Sequence, residues 1–171
     1  LHAGVVEIFV NKNAKMRYST IQNWSTDIYN LVTKRAIVLD NGVMEWVDGN
    51  IGSKVTMKYP SCILKGDNSV GNSISIAYAK ENQVLDAGAK MIHLGKNTKS
   101  NIVSKSIAEN KGIANYRGTT RITKDAINSR ATIKCDTILI DSISKSDTFP
   151  NNIVANSSSI LEHEATVSKV S

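Results

Sequence analysis

Proline and cysteine are scarce in this chain, with two of each among 171 residues. Two cysteines cannot complete a four-thiolate iron–sulfur or zinc site, and neither lies in a C-x-x-C spacing. No pattern favours a Cys62–Cys135 disulfide over two free thiols. Aromatic residues make up only 5%, so the stacking platforms of a nucleic-acid binder are missing. No apolar run approaches the ~20 residues of a membrane-spanning helix, and no basic, apolar leader opens the chain. Helical periodicity is weak, and only Ala77–Leu85 is expected to form a short helical turn. These absences argue against nucleic acid and membrane as partners, and for a reducing compartment.

What is present is a basic, ordinary globular composition. The formal charge is +6, from 16 Lys and 5 Arg against 15 Asp and Glu. The lysines are spread evenly, as on a solvated surface. Hydrophobic residues at 41% and charged residues at 21% suit one domain over residues 1–171. The usage of Ile, Asn and Lys together fits an A+T-rich genome. The chain opens inside what reads as a strand and stops abruptly, so it is expected to be a piece of a longer protein.

Short runs rich in Val, Ile, Thr or Tyr recur, as at Val5–Val10, Lys15–Thr20, Ala36–Leu39, Lys54–Tyr59, Ser73–Ala79, Asn101–Ile107, Ala131–Ile140 and Ile160–Ser168. Asn41-Gly42, Asp48-Gly49-Asn50, Gly66-Asp67-Asn68 and Gly95-Lys96-Asn97 read as turns. The expectation is an all-β chain, either a sandwich or a parallel β-helix. Strand starts roughly 17–20 residues apart and Asn at the bends favour the solenoid.

Cys135 lies in ATIKCDTILI, and Glu162-His163-Glu164 in LEHEATVSKV, with the imidazole 28 positions after the thiol. A thiolate, an imidazole and two carboxylates can hold iron or carry sulfur. Read locally, Cys135 is a small core hydrophobe sharing a strand face with Ile133, Thr137 and Leu139. On a strand the two glutamates take one face and His163 the other, so one ion reaches all three only at a strand end or bulge. Gly66–Ser73 resembles a phosphate loop, but Asn72 stands where the phosphate-binding lysine is needed. Nucleotide hydrolysis is therefore not expected. Cys62 and His93 read as structural, and His2 is isolated.

The stretches YSTIQNW (Tyr18–Trp24), LVTKRA (Leu31–Ala36), GSKVTMKYPSCILKGDNS (Gly52–Ser69), DAGAKMIHLGKNTKSNIVSKSI (Asp86–Ile107), YRGTTRI (Tyr116–Ile122), KCDTILI (Lys134–Ile140) and EHEATVSK (Glu162–Lys169) resemble the SufB branch of the SufB/SufD family, the scaffold subunits of Suf iron–sulfur cluster assembly. The resemblance implies a right-handed parallel β-helix. It implies a scaffold and not an enzyme, working with SufD and the ATPase SufC and supplied with sulfur by SufS and SufE. It makes Cys135 the sulfur-accepting or cluster-holding thiol, with Glu162, His163 and Glu164 as metal co-ligands. Gln22, Trp24 and Lys34 would line a sulfur path inside the β-helix. The cargo implied is a nascent iron–sulfur cluster, [4Fe–4S] in type, and a flavin is compatible with the full complex. The flanking helical parts of the family lie outside this sequence. A plastid stroma is the expected location, with the bacterial cytoplasm as alternative. A SufD-like paralogue without cluster ligands and a carbohydrate-acting β-helix are the rival readings. The complete KCD and EHE motifs weigh against the first. The lack of a further acidic cluster weighs against the second.

Overall fold

The computed structural model describes residues 1–170, and in them every regular element is a β-strand. One sheet holds β1 (His2–Val10), β3 (Tyr29–Val38), β5 (Val55–Lys58), β6 (Ser61–Leu64), β8 (Val84–Ala87), β9 (Lys90–His93), β11 (Ile113–Ile122) and β13 (Thr148–Val154). The other holds β2 (Lys15–Trp24), β4 (Val43–Gly52), β7 (Val70–Ala79), β10 (Lys99–Ala108), β12 (Arg130–Leu139) and β14 (Ile160–Lys169). All pairings are parallel, and strands of the middle coils pair with their counterparts one coil earlier and one coil later. The chain is therefore a β-solenoid of about six coils.

The coil is longer than the spacing of strand starts suggests. Residues stacked on neighbouring coils are 26 to 32 positions apart. Each coil carries strands of both sheets, so counting successive runs mixes the two walls. Two further expectations fail. Asp48-Gly49-Asn50 is the interior of β4, with Asp48 and Asn50 buried. Ala77–Leu85 is the end of β7, a turn closed by Gln83 N–H donating to Lys80 O at 3.1 Å, and the start of β8.

Two interior walls face each other, and alternation decides what fills the space between them. In β4, Met44, Trp46, Asp48 and Asn50 point inward, and in β12 Ala131, Ile133 and Cys135 do so. Trp46, Met44, Leu64, Met91, Ile102 and Ile122 are fully buried. Asparagines make the bend between the walls. Asn13, Asn41, Asn68, Asn97 and Asn128 all have positive φ, which asparagine tolerates better than most residues. Their turns stack on one another. Asn41 N–H donates to Asp67 O, and Asn68 N–H to Lys96 O, each at 2.9 Å.

Candidate functional site

Register places the expected site residues in two groups. Thr132 pairs with Glu162, Ile133 with His163, Lys134 with Glu164 and Cys135 with Ala165. Cys135 and His163 thus lie on the same interior wall, on neighbouring strands and two positions apart along them. That diagonal corresponds to roughly 7–8 Å between Cα atoms. The glutamates take the outer surface, as alternation requires. Glu162 accepts from Arg130 at 3.1 Å, and Glu164 lies 3.6 Å from the Lys134 ammonium. Among the described residues no three His, Cys, Asp or Glu side chains converge as a ready metal site.

Cys135 is 5% exposed, and burial pushes its thiol up to about 12. A sulfur acceptor works best as an accessible, low-pKa thiolate, whereas the folded chain holds a protonated thiol here. The Tyr116 hydroxyl partly offsets this, because it lies within hydrogen-bonding reach of the sulfur. It makes no hydrogen bond of good geometry. Its position depends on Gly118, where a Cβ would lie 2.3 Å from the hydroxyl oxygen. The Tyr116 and His163 rings are 6.5 Å apart between centroids. His163 Nδ1 faces Asn152 Nδ2 at 3.2 Å.

Lys34 belongs to a second interior group three coils away, about 14 Å along the axis at ~4.8 Å per coil, with Gln22 and Trp24 one coil further on. Lys34 is 2% exposed. Its ammonium donates to Thr20 Oγ1 at 2.8 Å and Asp48 Oδ1 at 2.6 Å, and lies 5.0 Å from the Tyr18 ring centre. Lys58, 1% exposed, donates to the same Asp48 oxygen at 3.2 Å and to Gln22 Oε1 at 2.9 Å. Burial lowers Lys58 to about 8 against the pull of Asp48. Burial works to raise Asp48, but Lys58, Lys34 and Thr20 together hold it below the usual carboxylate range. Trp24 stands at the edge of this group, 38% exposed and 4.7 Å from the His2 ring.

A single column of inward positions joins the two groups. Thr20 pairs with Asp48, Asp48 with Ser75, Ser75 with Ser104 and Ser104 with Cys135. Small hydroxyl side chains therefore occupy the two coils between the charged group and the thiol. Asp48, Lys58, Tyr116 and Thr120 were not picked out as site residues from their own local sequence. The usable signal was the alternation in MEWVDGN, which carries Asp48 inward in phase with Met44 and Trp46. Cys62 and His93 are buried in the core, as expected of structural residues.

The chain matches, over residues 1–171, the family described as SUF system FeS cluster assembly, SufBD core domain. It is 57% identical over 171 residues to an iron-sulfur cluster assembly SufBD family protein of Staphylococcus epidermidis. The identity is also 57% to the protein of that description from Staphylococcus aureus USA300. The chain is covered completely, but it spans 37% of the length of these relatives. Both relatives are bacterial, and they lend the plastid expectation no support. An interior thiol and imidazole on adjoining strands of a parallel solenoid thus sit within a known family: the chain belongs to the SufBD core-domain family of iron–sulfur cluster assembly.

Proposed function

We propose that this solenoid is the sulfur-accepting core of a SufB-type scaffold, working in a bacterial cytoplasm with SufD and SufC. The observation that carries the reading is the shared interior face of Cys135 and His163 at the solenoid's last coils. Cys135 accepts the outer sulfur of a donor persulfide delivered from SufS and SufE. Written in balance, Cys135–SH and R–S–S⁻ give Cys135–S–S⁻ and R–SH. The new sulfur–sulfur bond forms at Cys135, the donor's breaks, and the thiol proton leaves with the donor sulfur. No net oxidation occurs. Because the thiolate is the attacking form, the buried Cys135 thiol must give up its proton as the donor docks.

The excess positive charge of Lys34 and Lys58 over Asp48 favours an anionic sulfur species passing the charged end of the column. Gln22 orients Lys58, and Trp24 borders the entry. Iron is cargo in this reading, held by Cys135 and by His163 once the ring presents Nε2 unprotonated. Rotating the Asn152 amide so that its oxygen faces Nδ1 selects that tautomer. Glu162 and Glu164 lie on the outer face, where they engage iron in exchange for Arg130 and Lys134 or meet the SufD surface. Hard carboxylates hold iron loosely enough for later release. A [4Fe–4S] product is the cluster we favour.

Cys135→Ser in the full-length protein, reconstituted anaerobically with SufC and SufD, tests the role. Iron and acid-labile sulfide in the complex should fall to background. A cluster yield equal to wild type would eliminate the assigned function and favour a SufD-like role.

A further inference from the structure

On the interior faces of β11 and β14 three polar atoms lack a well-formed hydrogen bond: Tyr116 Oη, Thr120 Oγ1 and His163 Nε2. Tyr116 is 6% exposed and Thr120 1%. Roughly nine in ten or more buried polar groups find a partner, so three together call for one that is not protein. The Tyr116 and His163 rings, 6.5 Å apart between centroids, bring two of them together. Tyr116, Gly118 and Thr120 follow each other on the inward face of β11, and the Tyr116 hydroxyl lies in the room that a side chain at Gly118 would fill. Thr120 is stacked on Asn152, which contacts His163.

The chemistry of the three atoms agrees. Both hydroxyls can donate, and the Asn152 amide donating to Nδ1 leaves the ring hydrogen on Nε2. Three donors therefore face the interior here, and the Tyr116 hydroxyl lies beside the Cys135 sulfur. A neutral thiol is a weak acceptor and leaves them largely unused. An anionic sulfur one bond longer than the thiol would use them, and without donors its burial would be costly.

We infer that Tyr116, assisted by Thr120 and His163, forms a donor pocket that binds the anionic outer sulfur of a Cys135 persulfide. The inference rests on the reading of Cys135 as sulfur acceptor and adds residues outside the KCD and EHE motifs. Tyr116 touches the carried sulfur and holds it. Before iron arrives the pocket stores the sulfur, and His163 then exchanges its donated hydrogen for the metal.

The test uses the full-length protein charged with cysteine persulfide and freed of donor. Sulfur retained on Cys135 is followed by alkylation and peptide mass spectrometry. Tyr116→Phe keeps the ring and removes one unsatisfied hydroxyl, so its thermal midpoint should match wild type or exceed it. Its bound sulfur should decay at least ~10-fold faster, the loss of one hydrogen bond to a charged group. Thr120→Val should show a smaller loss of the same kind. Equal retention in wild type and both variants would overturn the inference and leave the pocket to water. Absence of sulfur on Cys135 in the charged wild type would instead overturn the function on which it rests.

Discussion

Lys34, Asp48 and Lys58 bring two cations and one anion into the interior, and the resulting imbalance has a pH signature. Lys58 is depressed from 10.5 to about 8 by burial. The unfolded chain therefore binds more protons between those values, and the Lys58 contribution to stability rises with pH across that window. Lys58→Met should be more stable than wild type at pH 7, by on the order of 3 kcal/mol. The gap should close between pH 8 and 10.5. Urea unfolding of both proteins across that range checks it. His93 acts on the acid side. Its ring contacts Thr98 at 2.7 Å and Ser100 at 2.9 Å, and burial lowers it to about 4. The unfolded histidine protonates first, near 6.5, so stability falls as pH drops from 6.5 to about 4. Relative to His93→Asn, wild type should lose on the order of 3 kcal/mol over that drop, read from denaturation midpoints. At this scale the sequence was partly legible. Alternation put Cys135 inward and divided His163 from its flanking glutamates correctly. Asp48 was hidden because Asp-Gly-Asn has the chemistry of a turn. Lys58 was hidden because a lone lysine is ordinarily solvated.

The bends are the elements that hold the coils in register, and they depend on backbone more than on side-chain packing. At Gly95 a Cβ would lie 2.3 Å from Gly66 O, and at Gly66 one would lie 2.0 Å from Asp40 N. No flexible side chain can yield at either contact. Gly95→Ala should therefore force adjacent coils apart and lower the thermal midpoint by several degrees. Asn68→Ala, at φ 57, should cost about 1 kcal/mol from the left-handed conformation alone. Calorimetry on the two variants separates steric from conformational loss. Turns at Asn41-Gly42, Gly66-Asp67-Asn68 and Gly95-Lys96-Asn97 were readable, because they combine glycine or asparagine with flanking β-branched runs. The edge strand β13 was not. Pro150 and Asn151-Asn152 break the usual strand composition, and its outward neighbours are exposed.

Across the whole molecule, parallel stacking turns positions about thirty residues apart into neighbours. That conversion builds the column from Lys34 and Asp48 through Ser75 and Ser104 to Cys135. Strand propensity alone allowed a sandwich or a solenoid, because each run looks alike whichever strand it pairs with. The motifs of the SufB/SufD family resolved the choice, and the all-parallel ladder agrees with them. The two thiols of the molecule offer an internal comparison. Cys62 is fully buried beside Trp46, and burial pushes it to about 12. Cys135 is equally protonated but faces unpartnered donors. The measurement that tests the account most directly is peptide mass spectrometry of the full-length protein after exposure to its sulfur donor. The account predicts one added sulfur on the peptide containing Cys135 and none on the peptide containing Cys62. Sulfur on Cys62, or on neither peptide while clusters still form, would contradict it.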